Sequence, residues 1–314
     1  MWFKAHWPVY LVWAGLIYIL LRLYISGRMV RFSDRAGDRS LHQGEVLTGG
    51  GFLLFVPIAA MMMWYQWYLP AVLVFILTVL GVIDDVRQLS ARLRLIVQFL
   101  VVIAALWFVG VGFLWWGIFL CVAFVWWINL FNFMDGANGL VGLHALVTLA
   151  TVLFIPESAQ SFKPVVMSIM IALAVYLYFN MGLKRLFMGD SGSLPLAFIL
   201  GFLALWMMQG QSLNALQVAV MHAVLITDSS LTLVMRLMRG EAITQAHRSH
   251  LYQRLIGPEG PHGPVSMVYA AVTGLCCTVA VMMSDLPLTR QWLWFVSVYL
   301  VLAVVFFQTR RLGR

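Results

Sequence analysis

Eleven apolar stretches follow one another along this 314-residue chain, near residues 8–26, 51–68, 70–84, 95–111, 113–130, 140–156, 164–181, 194–209, 213–234, 264–284 and 291–308. A helix crosses a bilayer with about 20 apolar residues, so the pattern limits the chain to few folds. It predicts an all-α fold, a polytopic membrane helix bundle of about eleven transmembrane helices. Composition agrees: 62% of residues are hydrophobic and 10% are charged, where a soluble domain is about a quarter charged. No repeat, low-complexity tract or soluble insertion divides the chain, so residues 1–314 are expected to form a single integral membrane domain.

The net charge of +8 would suggest nucleic acid in a soluble protein. Here no basic stretch is interleaved with stacking aromatics, and no nucleic-acid partner is expected. Basic residues instead flank the spans. Arg28, Arg31, Arg35 and Arg39, then Arg87, Arg92 and Arg94, then Lys184 and Arg185, then Arg236, Arg239, Arg248 and Arg254, and finally Arg310, Arg311 and Arg314 fall on alternate loops. The opposite side has only Lys4, Lys163 and Arg290. Basic loops stay in the cytoplasm, so the N-terminus is expected outside and the C-terminus inside. The first stretch lacks a basic leader and a small-residue cleavage site, and is expected to be a retained span. Cys121, Cys276 and Cys277 form neither a zinc pattern nor a disulfide framework.

Four polar clusters interrupt the hydrocarbon, and the charge pattern puts all of them on the cytoplasmic face. A charge near the bilayer centre costs about 2.5–3.5 kcal/mol, so their gathering points to one surface site. Asp84-Asp85 closes the third span, where the helix dipole disfavours acids. The plain alternative is pairing with Arg87 or Arg92. Asn129, Asn132, Asp135 and Asn138 recur every third residue, a spacing that stacks them on one side of a helical turn. They offer donors and acceptors for a base, ribose or sugar amide, or else cap the sixth span.

Phe187 to Ser193 places Asp190 in a Gly-flanked turn with Ser191 and Ser193. Free backbone N–H groups at that helix start suit phosphate, Asp190 suits Mg²⁺, and an ordinary N-cap is the alternative. His247, His250 and Arg254 follow i, i+3, i+7 spacing and would share a face of a short helix, suited to diphosphate oxygens. A basic loop meeting anionic membrane lipid is the plainer view. His262 is a further candidate for the site. Asp228, within a span, is by default a functional candidate, with a structural pair to Arg236 as the alternative.

Together these residues resemble the polyprenyl-phosphate N-acetylhexosamine-1-phosphate transferase superfamily, glycosyltransferase family 4, from about Arg39 to Arg254. Arg39-Ser40-Leu41-His42 and Thr48-Gly49-Gly50-Gly51 match its first cytoplasmic loop. The resemblance implies a catalytic acidic pair at Asp84 and Asp85 and a Mg²⁺ ligand at Asp190, with Mn²⁺ as the alternative ion. It also implies substrate binding by Asn129, Asn132, Asp135, Asn138, Phe187, His247, His250 and Arg254. The implied partners are undecaprenyl phosphate and a UDP-amino sugar, in the bacterial cytoplasmic membrane, and it admits a homodimer. Asn138 stands where many relatives have Asp, and Tyr252 and Gln253 replace two histidines. The His-Arg-Ser-His form resembles the O-antigen-initiating branch, which transfers sugars such as N-acetylfucosamine or N-acetylquinovosamine.

Overall fold

The apolar stretches all coincide with helices. A computed structural model describes residues 2–29, 32–35, 45–112, 114–155, 162–241, 247–258 and 260–312. The helices are α1 (Trp2–Ile25), α2 (Gly50–Trp64), α3 (Tyr68–Arg87), α4 (Ala91–Val109), α5 (Trp115–Met134), α6 (Leu140–Phe154) and α7 (Lys163–Leu177, continued by a π-turn, Tyr178–Gly182). Then come α8 (Asp190–Gln209), α9 (Ala215–Met221), α10 (Ala223–Met238), α11 (Leu251–Ile256), α12 (His262–Met282) and α13 (Leu288–Leu312). The chain is a multi-pass membrane protein built as a helical bundle.

Three details differ from the sequence expectation. Between α1 and α2 lies a small antiparallel hairpin, β1 (Phe32–Arg35) with β2 (Glu45–Thr48), in the register Phe32↔Thr48 to Arg35↔Glu45. Residues 39–42 of the first loop motif lie outside the described residues. Second, among the described residues eight helices are long and apolar enough to cross a membrane. The count becomes nine with α9 and α10 taken as one span bent by 79°. The 15-residue helices α2 and α6 measure about 22 Å, short of a bilayer core of about 30 Å. Third, α3 runs on past residue 84 to Arg87; Asp84 and Asp85 occupy its last turn, at the helix end where the sequence put them.

Helix α8 is the centre of the bundle, with 78% of its apolar window buried, whereas α13 has 6% buried and is peripheral. Lipid tails give apolar side chains no reason to leave lipid for each other, so membrane helices associate by close packing at small residues. Here two glycines decide the geometry. A Cβ on Gly51 would overlap the backbone of Gly192, and one on Gly81 would overlap the Asp190–Ser191 peptide. The start of α8 is thus pressed between α2 and α3. Main-chain bonds fix this seat: Gly51 donates to the Met188 carbonyl at 3.0 Å and Phe187 to the Leu47 carbonyl at 2.9 Å. Cys121, Cys276 and Cys277 are buried and unbridged, as packing residues should be.

Gly81→Val or Gly51→Val will force α8 away from its neighbours. Overpacking of this kind costs about 1–3 kcal/mol, read as a lower thermal midpoint of the purified protein. Gly15→Ala, with no atom within 4 Å of the added Cβ, should leave the midpoint unchanged; an equal loss there would refute the close-approach explanation.

Candidate active site

Asp85 grips the start of α8. Its Oδ1 accepts from the Asp190 N–H at 2.9 Å and its Oδ2 from the Ser191 N–H at 3.2 Å. The next two N–H groups, of Gly192 and Ser193, both turn to the Gly189 carbonyl at 3.0 Å. A helix N-terminus carries partial positive charge and unpaired donors, and a carboxylate from a neighbouring helix answers both needs. The sequence expectation of free N–H groups for phosphate is therefore corrected: this end is already filled. Gly189, at φ 69° with a Cβ position 2.7 Å from Asp85 Oδ2, keeps the turn close to that carboxylate.

Asp84, one residue earlier, points elsewhere and is buried. Leu89 N–H donates to its Oδ1 at 2.6 Å and Arg94 Nη1 to its Oδ2 at 2.8 Å. The pairing arginine is Arg94, not Arg87 or Arg92, both of which are exposed. Arg94 Nη1 also lies 3.6 Å from Asp190 Oδ2, and both side chains are about a quarter exposed, 28% and 26%. This guanidinium was missed by sequence reasoning. Its signal was position: Arg94 lies four residues before the buried Gln98, so the two share a face of α4.

The polar run at the end of α5 does not form one helical register. Asn129 faces into the bundle, its amide donating to Gln98 Oε1 at 2.6 Å and to the Val125 carbonyl at 2.8 Å. That is a helix–helix bond, and it leaves Asn129 bound to α4. Asn132 Oδ1 accepts from Ser193 Oγ at 2.6 Å, tying α5 to α8. The helix then ends at Met134, so Asp135 and Asn138 leave the face that Asn129 and Asn132 began. Asp135 is half-buried beside Asp190 and Asp85; burial first, then these two carboxylates, push its carboxyl well above the usual range. Gly139, at φ 85°, turns the chain into α6, its N–H held by Asn180 Oδ1 at 2.7 Å. Asn138 is buried, its N–H donating to His262 Nδ1 at 3.1 Å and its carbonyl accepting from Ser266 Oγ at 2.7 Å. His262 thereby joins this loop.

The last cluster is held in the same manner as α8. Asp228 on α10 accepts from the Leu251 N–H at 2.7 Å and the Tyr252 N–H at 3.1 Å, capping α11, and from Tyr269 Oη on α12 at 2.7 Å. Tyr252 lies over Gly136 and donates from Oη to the Phe133 carbonyl at 3.2 Å, joining this cluster to the α5–α6 loop. His247, His250 and Arg254 do not share a helical face: α11 begins only at Leu251 and His250 is its N-cap. His250 is buried, its Nδ1 3.7 Å from Asp228 Oδ1 and its ring stacked on Tyr252 and Phe133. Its ring also lies 4.8 Å from that of His247, whose Nδ1 meets Ser249 Oγ at 2.9 Å. Arg254 is exposed and Phe187 half-buried.

The four clusters therefore meet at one end of the bundle, with Asp85 and Asp190 each in electrostatic reach of both Asp84 and Asp135. Residues 67–208 match the family profile described as glycosyl transferase family 4. That stretch, just under half of the chain, is similar to glycosyl transferase family 4. The matched residues span three of the four polar clusters. The chain is 24% identical over 300 residues to a probable undecaprenyl-phosphate N-acetylglucosaminyl 1-phosphate transferase of Bacillus subtilis (strain 168), covering 88% of this chain and 82% of that one. It is 26% identical over 247 residues to the undecaprenyl-phosphate alpha-N-acetylglucosaminyl 1-phosphate transferase of Salmonella typhi, covering 70% and 67%. The enzyme of the same name from Escherichia coli (strain K12) is 22% identical over 301 residues, covering 86% and 81%.

Among the described residues no three His, Cys, Asp or Glu side chains form a ready cage for a divalent cation. Mg²⁺ needs none, since it is commonly held by one or two carboxylates together with waters and substrate phosphates. Asp190 and Asp135 fit that donor set: hard oxygen ligands, partly exposed, whose mutual repulsion a cation relieves.

Asp228→Asn will turn an amide N–H toward donors that now face oxygen. An unsatisfied buried donor costs about 1–3 kcal/mol. The expected result is a lower thermal midpoint with faster amide exchange across residues 250–256; wild-type exchange there would refute the capping role.

Proposed function

We propose that this protein transfers an N-acetylamino-sugar 1-phosphate from a UDP-sugar to undecaprenyl phosphate, releasing UMP. This would be the first membrane step of O-antigen or related cell-surface polysaccharide synthesis. The observation that carries it is the convergence of Asp84, Asp85, Asp135 and Asp190 with Arg94 at one end of the bundle. Similarity to undecaprenyl-phosphate N-acetylglucosaminyl 1-phosphate transferases over most of the chain supports it. A lipid or solute transporter is disfavoured, because transporters hold their polar groups near the midplane between repeated halves.

We place the site on the cytoplasmic face of the bacterial inner membrane, with the N-terminus outside and the C-terminus inside, on the strength of the basic loops. Eleven crossings follow if α2 and α6 also span; locally thinned lipid around short helices would accommodate them.

In the proposed reaction an oxygen of the lipid phosphate attacks the sugar-linked phosphorus. A new P–O bond forms and the bond to UMP breaks. The second pKa of a phosphomonoester is about 6, so the nucleophile is mostly a dianion at neutral pH and needs little help from a base. Asp85 has both oxygens on backbone N–H groups and Asp84 is bound to Arg94 and Leu89. Both are better suited to positioning than to forming a covalent phospho-aspartate. Asp190 and Asp135 would hold Mg²⁺, or Mn²⁺ in its place, which when bound neutralises phosphate oxygens as charge accumulates. Arg94 and the exposed Arg254 would bind phosphate oxygens directly. Asn132 and Asn138, on either side of Asp135 in the chain, are the candidate readers of the nucleotide sugar.

Asp190→Asn should abolish UMP release from a UDP-amino sugar and undecaprenyl phosphate. Chelation by EDTA should do the same to the wild type, with Mg²⁺ or Mn²⁺ restoring turnover. Near-wild-type activity of Asp190→Asn would remove the metal assignment, and no UMP release with any UDP-amino sugar would remove the transferase reading. For the sugar, UDP-N-acetylfucosamine, UDP-N-acetylquinovosamine and UDP-GlcNAc should be compared. Asn138→Asp is expected to shift the preference among them, and an unchanged profile would exclude position 138 from sugar choice.

A further inference from the structure

A second polar cluster lies deeper in the bundle, and the proposed reaction does not use it. His144 on α6 and His222, at the break between α9 and α10, are 0% and 4% exposed. His144 Nε2 lies 2.9 Å from His222 Nδ1, and His144 Nδ1 lies 2.9 Å from Thr273 Oγ1 on α12. The proton of the Thr273 hydroxyl is already committed, because it donates to the Tyr269 carbonyl at 2.8 Å. A hydroxyl has one proton, so Thr273 must accept from His144, and His144 Nδ1 must carry hydrogen.

His144 Nε2 is then an acceptor unless the ring is an imidazolium. Charge is disfavoured there: the ring sits in the apolar core against Trp127, Phe131 and the second imidazole. An ionised side chain at that depth costs several kcal/mol. His222 therefore donates, and its Nδ1 also carries hydrogen. The chain of bonds has one direction, from His222 to His144 to Thr273 to the Tyr269 carbonyl.

We infer that His222 and His144, each neutral with its proton on Nδ1, form one arm of a two-point clamp that holds the first turns of α10 against α12. The second arm is the bond from Tyr269 Oη to Asp228 at 2.7 Å. On α12 the attachment residues, Tyr269 and Thr273, stand one turn apart; His222 at the break and Asp228 on α10 are six residues apart. The first arm grips at the 79° bend, where the helical ladder is interrupted and α10 would otherwise be free to swing. The second grips at the carboxylate that caps α11. His144 and His222 are thus positioning residues. They act through Asp228 on α11, which carries Tyr252 and Arg254 toward the site.

The test does not depend on the reaction. Full-length protein with ¹⁵N-labelled histidine should show two neutral rings protonated on Nδ1, one lost in His144→Leu and the other in His222→Leu. A wild-type spectrum without two such rings overturns the inference by itself, whether or not the variants fold. Amide exchange tests the clamp. His222→Leu should speed exchange of the Leu251 and Tyr252 amides by about tenfold or more. His222→Asn, which keeps an N–H near the Nδ1 position, should stay within about threefold of wild type. Wild-type exchange in His222→Leu, or equal acceleration in both variants, overturns the clamp.

Discussion

A carboxylate on one membrane helix holding the first backbone N–H groups of another is the interaction on which this structure turns. It occurs twice. Asp85 binds the N–H groups of Asp190 and Ser191, and Asp228 binds those of Leu251 and Tyr252. In water such a cap is worth about 0.5–2 kcal/mol. In a bundle surrounded by lipid, neither the carboxylate nor the donors have bulk water to turn to, so each is costly without the other. The two caps therefore fix where α8 and α11 begin, and the candidate site residues are the residues at those beginnings.

The glycines make the first cap reachable. Asp85 can approach the α8 backbone only because Gly81, one turn earlier on the same face of α3, lets the two main chains come into contact. Gly51 does the same from α2. The second cap has no such glycine pair; the side chains of Tyr269 and Thr232 complete the shell around Asp228 instead. Tyr252 then reaches across to Phe133 and Gly136. By these links the Gly-rich loop, the acidic pair, the Asn-rich turn and the histidine segment become one body, although they are scattered over some 200 residues of sequence.

Much of this was legible in the sequence, because hydrocarbon leaves polar residues conspicuous. Apolar lengths located the helices, and the expense of acids near lipid singled out Asp84, Asp85, Asp135, Asp190 and Asp228. What was not legible was direction. Spacing of three residues suggested that Asn129 through Asn138 share a face, but the helix stops at Met134, and only Asn129 and Asn132 lie on it. Spacing likewise suggested a helix bearing His247, whereas α11 starts after His250. Nor can a sequence say which partner a carboxylate will choose when Arg87, Arg92 and Arg94 are all near. Their exposure on a folded helix decides it in favour of Arg94. The bend at His222 was hidden for another reason: apolar residues run up to it from both sides, Ala219-Val220-Met221 and Ala223-Val224-Leu225, so nothing in the local pattern marks the break.

The electrostatic balance at the site gives the functional reading its physical sense. Four carboxylates meet one guanidinium there. The N-terminal dipole of α8, equivalent to about half a positive charge, offsets part of Asp85, and Arg94 offsets Asp84. Arg94 also reaches Asp190 at 3.6 Å, but shared between two acids it leaves Asp135 and Asp190, both partly exposed, as the less compensated pair. Left alone, such a pair would repel a phosphate. With a divalent cation between them it would attract one, and two phosphates brought there together would need that cation more than either acid does. The caps matter for this reason too: they hold Asp85 and Asp228 on backbone donors, which leaves Asp135 and Asp190 as the acids the proposed cation would join.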